Sequence, residues 1–503
     1  MHGYLKVFNG ASLLSASEII GQGCSLVRNI ILARFLAKAD FGVAALLGMI
    51  LTLFELTSKM GFGQQVVQSR HGNDPGFLEN VHFAQFATGA LSALLIAIAA
   101  LPLAHFFAGP QYLSSIMALA LVPFISGLSS LDVYRRTRNL TFWPVVVSDA
   151  VPQLLTTLAA WPVAAALRDY RAVLGLLLGK ALLTAIGTHA VAERRFAIRI
   201  NGRWLRETLR FGLPLLLGGF VQFGNFQGDS MVVAAAYPLA QLGEYSVAMT
   251  LAMAPGFAIL RVCHSISLPL LSEVQGDTGR FAARYARYAE LMAVLSCWVV
   301  LGMLCCGEQA VVLLYGAKYS GIGALACWLV AAQAIRILRG ATVAAAMARG
   351  DTVNNLVSTS WRLSGLVLAI VVGLLKGSLV WFAAAGLAGE IAALAAAAGL
   401  LRRDHSIPSR ATFEPALVAA LCVALVGAAK WALAAGPSSP INWFLLPPAL
   451  CISLALFAAW FPELRSLMLN FGASLGARLC RITSKEWRLL PGVVQPLSRD
   501  TDE

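Results

Sequence analysis

Asp229 is the only acid in the stretch G-N-F-Q-G-D-S-M-V-V-A-A-A-Y, residues 224 to 237. Gln222, Asn225 and Asp229 recur at spacings of three and four, so on a helix they share one face. A carboxylate in such surroundings can pair with a cation, take up a proton or hold an ion. Glu18, Gln22, Ser25 and Asn29 form a second polar stripe with Arg28 beside it, and Thr52, Glu55 and Lys59 form a third. Cations sit in apolar runs as well: Lys180 in G-L-L-L-G-K-A-L-L, and Gln333, Arg336 and Arg339 on one face. None of these groupings carries covalent chemistry. The chain has no phosphate-cradling glycine loop, no H-E-x-x-H and no G-x-S-x-G. His82, His105 and His189 stand apart from one another and read as interfacial. The chain is therefore expected not to be an enzyme, and neither a cofactor nor a metal is expected.

The elements that position these residues follow from composition. Of 503 residues, 58% are hydrophobic and 13% charged, with a mean hydropathy of +0.73; an ordinary soluble domain carries about 25% charged residues. Between Glu79 and Asp132 there is no Asp, Glu, Lys or Arg, and the main break is Gly109-Pro110-Gln111. Each half of that run exceeds the roughly 20 residues that cross a bilayer as a helix. No alternation of apolar and polar residues suggests a barrel. The fold class expected is all-α, a polytopic membrane protein of about 14 transmembrane helices. The expected spans are 9–33, 40–62, 80–106, 112–133, 142–166, 171–191, 209–236, 239–261, 287–308, 319–345, 354–376, 378–401, 413–435 and 441–462.

The net charge of +13 fits cytoplasmic loops held against anionic lipid better than nucleic acid, which is not expected as a partner. Nine cysteines without C-x-x-C pairing read as small packing residues. The first apolar stretch carries Glu18 and Arg28, so no cleavable signal is expected. Basic residues concentrate in loops on one side, including Arg135, Arg136 and Arg138 and the run from Arg194 to Arg210, whereas Arg34, Lys38, Arg168, Arg171, Lys318 and Lys376 fall on the other. This asymmetry places both termini in the cytoplasm.

The basic run also divides the chain. R-F-L-A-K-A-D-F-G-V-A-A-L-L (34–47) is echoed by A-A-Y-P-L-A-Q-L-G-E-Y-S-V-A (235–248). The expected plan is a six-helix bundle (1–192), a basic cytoplasmic linker (193–210) and a second six-helix bundle (211–401), the two bundles enclosing a central cavity. Two further transmembrane helices (402–463) and an amphipathic or mobile cytoplasmic tail (464–503) follow.

Charge at the centre of a span costs roughly 2.5–3.5 kcal/mol on insertion scales, so these groups face a wet interior or one another. Glu55 and Lys59, one turn apart, can satisfy each other. Arg336, about 20 Å along the helix from Arg349 at 1.5 Å per residue, can pair with an acid such as Glu390. Asp229 has no basic residue within a turn and is expected to have a working role. Arg362 is shallow enough to snorkel to the surface.

The stretches I-L-A-R-F-L-A-K-A-D-F-G-V-A-A-L (31–46) and E-L-T-S-K-M-G-F-G-Q-Q-V-V-Q (55–68) resemble the opening of the Wzx-type polysaccharide flippases. These belong to the multidrug/oligosaccharidyl-lipid/polysaccharide exporter superfamily. F-Q-G-D-S-M-V-V-A-A-A-Y-P-L-A-Q-L-G-E-Y is similar to that family's seventh-span pattern, and R-I-L-R-G-A-T-V-A-A-A-M-A-R-G-D (336–351) to a later segment. A-K-A-D departs from the family's proline-and-acid turn, and Ala235 stands where a basic residue is common. The resemblance implies a bacterial inner-membrane protein that moves a polyprenyl-pyrophosphate-linked oligosaccharide repeat unit from the cytoplasmic to the periplasmic leaflet. It implies a cavity lined by the first, second, seventh and eighth spans.

In that setting Arg28, Lys180 and Arg336 would replace the lost hydration of the pyrophosphate. Gln22, Asn29, Gln222 and Asn225 would suit sugar hydroxyls, and Asp229, Glu18 and Glu55 would serve coupling or conformational switching. Membrane lipids, a polysaccharide polymerase and export machinery are the partners implied. Two other readings are weighed against it. A relative exporting drugs or cations would need an acidic cavity. A membrane glycan polymerase or ligase would carry a large periplasmic loop, and none of the outer loops is long.

Overall fold

A computed structural model describes residues 2–58, 60–433, 441–462 and 464–466. The helices are, in order, α1 (His2–Phe35), α2 (Lys38–Ser58), α3 (Phe62–Gln68), α4 (Pro75–Leu103), α5 (Leu113–Leu119), α6 (Leu121–Gly127), α7 (Asp132–Arg138), α8 (Trp143–Leu167) and α9 (Arg171–Ala190). There follow α10 (Gly202–Ala236), α11 (Leu239–Ser272), α12 (Thr278–Tyr315), α13 (Gly323–Ala348), α14 (Val353–Leu374), α15 (Leu379–His405), α16 (Arg410–Ala432) and α17 (Ile441–Trp460). Among the described residues, 11 helical segments are long and apolar enough to cross a membrane. The chain is an all-α polytopic membrane protein.

Three more helices, α1, α10 and α11, have 34, 35 and 34 residues and are long enough to span at 1.5 Å per residue. α1 and α10 carry polar groups within these stretches, among them Glu18 and Arg28 on α1 and Gln222, Asn225 and Asp229 on α10. The fourteen expected segments therefore all fall on helices. Several boundaries move. The fourth span, expected at 112–133, is the segment Pro110–Gly127, and the chain then turns into the separate α7. α12 runs for 38 residues, well beyond the expected 287–308. At about 57 Å it outreaches a hydrocarbon core of about 30 Å.

Helix starts are written locally. Asp74 caps α4 by accepting the Gly76 N–H at 2.8 Å, with Pro75 in the first turn, and Asn201 and Asp277 cap α10 and α12 in the same way. The basic stretch 193–210 is accordingly part loop and part the opening turns of α10. The lipid-facing sides carry exposed Trp143, Trp161, Trp381, Trp443 and Trp460, each near a helix end. The tail beyond residue 466 lies outside the described residues, as does Lys59.

The sequence echo has a structural counterpart. α2 and α11 pack on each other through its two glycines: a Cβ on Gly42 would strike the Leu239 carbonyl, and one on Gly243 would strike the Lys38 carbonyl. The contact is reciprocal, with each glycine meeting the backbone that opens the other's helix. A second pair of turns matches as well. Gly109 (φ 105°, ψ 155°) and Gly316 (φ 97°, ψ 162°) adopt the same left-handed backbone, and each leads into a short 3₁₀ turn, Pro110–Tyr112 and Ala317–Tyr319.

Candidate functional site

Asp229 is buried, and its partner comes from far along the chain. Arg362, on α14, donates from Nη2 to Asp229 Oδ2 at 2.9 Å. Its Nε donates to Glu390 Oε1 on α15 at 2.8 Å, and its Nη1 donates to the main-chain oxygen of Asn225 and to Asn225 Oδ1. Arg336, on α13, meets Glu390 Oε1 through Nε at 2.8 Å and Nη2 at 2.6 Å. Arg339 lies 3.4 Å from Glu390 Oε2 and donates to Thr359 Oγ1 at 3.2 Å. Five charged side chains from α10, α13, α14 and α15 thus form one buried cluster. Arg336 also sits over the Phe226 ring, 5.4 Å from its centre.

Small residues bring these groups together. α14 and α15 approach so closely at Gly365 and Gly389 that a Cβ on Gly389 would lie 2.6 Å from the Gly365 Cα. Small residues at a helix interface permit this approach in a membrane. Arg362 lies one turn before the crossing and Glu390 one residue after it, so the crossing sets their register. On the other side Gly228 packs on Leu366, which draws the Asp229 turn of α10 onto α14. Arg362 therefore does not snorkel to the surface. Two carboxylates and an amide satisfy its guanidinium inside the protein, so it gains nothing by reaching for water.

Of the residues singled out in the sequence, Asn225, Asp229, Arg336, Arg339, Arg362 and Glu390 are brought into this cluster, and Arg336 pairs with Glu390 as expected. Gln222 is exposed on α10 two turns from Asp229, and Glu18 and Gln22 are exposed on α1. Arg28 and Asn29 on α1, Glu55 on α2 and Lys180 on α9 are half-buried, and Arg28 donates to Thr156 Oγ1 on α8 at 3.4 Å. Of the histidines read as interfacial, His82 is buried and accepts the Leu131 N–H at 2.9 Å.

A second constellation joins the two halves at the end where α1 and α12 finish. Arg34 donates from Nε to the Leu314 carbonyl at 2.8 Å and from Nη2 to that of Leu313, which caps the last turn of α12. Lys318, just beyond α12, donates to the carbonyls of Arg34 at 3.0 Å and of Leu36, and so caps α1 in return. Lys38 and Glu244 pair across the same boundary at 2.6 Å. Burial, and after it the charge of Lys38, pushes the Lys318 ammonium below its ordinary range. In the sequence these cations were visible only as minority charges on one face.

At the α7 end, Asp132 pairs bidentately with Arg135 and accepts the backbone N–H groups of Glu193 and Arg194 at 2.8 and 3.3 Å. Burial alone would raise the Asp132 carboxyl. The Arg135 hydrogen bond and the Glu193 and Arg194 N–H groups outweigh it and hold the carboxyl below its ordinary range. This network ties the loop after α9 to α7.

Comparison with known proteins fits this arrangement. Over 324 residues, 63% of this chain and 65% of the relative, the sequence is 19% identical to the lipopolysaccharide biosynthesis protein WzxC of Escherichia coli (strain K12). The chain thus spans about two thirds of the length of that relative. Among solved structures it resembles the lipid II flippase MurJ in an inward closed conformation, with a TM-score of 0.68 at 14% identity over 90% of this chain and 99% of that one. It also resembles an inward-facing multidrug resistance MATE family transporter of the MOP superfamily, with a TM-score of 0.60 at 13% identity over 79% and 98% of the two chains. At these identities the two structures establish the fold. The resemblance read from residues 31–46 and 55–68 is upheld. A polysaccharide biosynthesis protein family matches residues 31–323, which is more than half of the chain, and the chain belongs to that family.

Proposed function

We propose that the protein is a flippase. It moves a polyprenyl-pyrophosphate-linked oligosaccharide repeat unit from the cytoplasmic to the periplasmic leaflet by alternating access, for the synthesis of exopolysaccharide, capsule or O-antigen. The observation that carries this reading is the reciprocal capping of α1 and α12 by Lys318 and Arg34. At that end the two halves meet through these hydrogen bonds, the Lys38–Glu244 ion pair and the close packing of α2 on α11 at Gly42 and Gly243, and water can replace the polar contacts when the halves part. The asymmetry of basic residues supports placing that end in the periplasm and both termini in the cytoplasm of a bacterial inner membrane. Residues 1–192 and 211–401 act as the two moving bundles.

Arg28 and Lys180 meet the pyrophosphate, and Gln22, Asn29 and Gln222 meet sugar hydroxyls. Asp229, Asn225, Arg336, Arg362 and Glu390 form a structural switch inside the second bundle, while Glu18 and Glu55 face the path. A pyrophosphate carrying about two negative charges gains about 7 kcal/mol on moving outward across a potential of ~150 mV. Potential alone can therefore drive the step. A polymerase and export machinery would act on the unit once it reaches the outer leaflet.

The test is chemical. In the source bacterium, deletion of this chain should cause a complete lipid-linked repeat unit to accumulate, identified by mass spectrometry of the lipid extract, with the unit confined to the inner leaflet. Normal polysaccharide export without such an intermediate would refute the reading.

A further inference from the structure

The five-charge cluster is not electrically balanced. Arg336, Arg339 and Arg362 bring three positive charges and Asp229 and Glu390 two negative ones, and all five side chains are buried. Four of these groups, Asp229, Arg336, Arg362 and Glu390, line a cavity of about 20 Å³ together with Tyr245 and Gln333 among others. Arg336 is 7% exposed, and its Nη1 has no hydrogen-bond partner among the described residues. Asp229 and Glu390 each pair with guanidiniums, Glu390 chiefly through Oε1, while its Oε2, 3.4 Å from Arg339 Nε, has no hydrogen bond among the described residues.

An uncompensated positive charge at this depth is costly. Protonating Asp229 or Glu390 would enlarge the imbalance. A water would satisfy the free N–H and leave the charge, and a polar space of this size holds one small body. We propose that the cavity is a binding site for a single monovalent anion of the size of chloride. The free Nη1 edge of Arg336 supplies the charge-assisted donor, and the Tyr245 hydroxyl and Gln333 amide, lining the same space, supply neutral donors. The bound anion brings the cluster to neutrality and holds α10, α11, α13, α14 and α15 together. The site lies wholly within the second half of the chain, so it stands or falls independently of what the protein transports.

The experiment uses the purified full-length protein in detergent with gluconate as the only anion. Chloride or bromide is substituted at constant ionic strength while thermal unfolding is followed. Each halide should raise the melting temperature by several degrees along a saturating curve. A flat response to both overturns the proposal. Arg336→Gln, which leaves two guanidiniums against two carboxylates, should abolish the halide response, and a response of wild-type size in that variant would overturn it. Anomalous scattering from crystals of the wild-type protein grown in bromide needs no variant. A peak in the cavity beside Arg336 is expected, and a cavity holding only water would overturn the assignment.

Discussion

Arg34 and Lys318 each cap the helix on which the other's neighbours end: Arg34 donates to the last turn of α12, and Lys318 donates to the Arg34 carbonyl at 3.0 Å. Helix C-termini leave carbonyls unsatisfied and favour cations, so the two halves complete each other's helices when they close. Truncating either residue returns those carbonyls to water and favours the open form. Arg34→Ala and Lys318→Ala should each lower export while the protein still accumulates, and should raise the labelling of a cysteine placed at the fully buried Leu36 by a membrane-impermeant thiol reagent. Unchanged labelling in both variants would show that the capping does not hold this end shut.

The ion pair beside this clasp offers a cleaner comparison. Lys38 and Glu244 are partly exposed at 31% and 24%, so the pair is worth roughly 0.2–1 kcal/mol. Lys38→Glu places two carboxylates together and should slow export. Adding Glu244→Lys should recover most of the loss, and no recovery in the double variant would assign the defect to something other than the pair.

Within the cluster the two acids should differ. Glu390 faces three guanidiniums and is 1% exposed, whereas Asp229 faces one. Removing one partner of a buried pair costs about 3–5 kcal/mol. Glu390→Gln should therefore lower the melting temperature sharply, and Asp229→Asn, which keeps a hydrogen-bond acceptor for Arg362, should lower it much less while slowing transport several-fold. Equal stability losses would contradict the central place given to Glu390.

The register of that cluster rests on the Gly365–Gly389 crossing. Gly389→Ala introduces a methyl that the backbone of α14 already occupies, so it should separate Arg362 from Glu390 and destabilise the protein nearly as much as Glu390→Gln. Wild-type stability in Gly389→Ala would show that α14 and α15 have room to part.

Asp132 gives a pH signature. Its carboxyl is held below the ordinary range in the folded protein, so its contribution is fully present above the unfolded value of about 3.9. That contribution is lost as pH falls through the lowered folded value. Asp132→Asn should lower the melting temperature at neutral pH, and the gap from wild type should shrink below about pH 4. A gap constant across that range would mean that charge at Asp132 adds nothing.

The helices were largely legible in the sequence, because a span announces itself as an uncharged run, such as the one from Glu79 to Asp132. The cluster was legible only in part. Periodicity put Gln222, Asn225 and Asp229 on one face, yet nothing near Asp229 named Arg362, which lies 133 positions away. Arg362 sits close enough to a helix end to suggest the surface; its buried place depends on the glycine crossing, a tertiary contact. The clasp was hidden differently. Arg34, Lys38 and Lys318 read as minority charges of the outer face, and their partners are main-chain carbonyls that carry no sequence signature. The echo of 34–47 in 235–248 did point to the paired glycines Gly42 and Gly243, although not to their meeting.

The most direct test of the account is translocation by the protein alone. Purified full-length chain is reconstituted into vesicles carrying a fluorescent polyprenyl-pyrophosphate oligosaccharide in one leaflet, with a potassium diffusion potential imposed, and the rate of its appearance in the other leaflet is measured. The account expects transfer that requires the protein, accelerates when the potential is negative on the side of departure, and falls in the Arg28→Ala and Lys180→Ala variants. Transfer no faster than in protein-free vesicles at any imposed potential or ion gradient would contradict it.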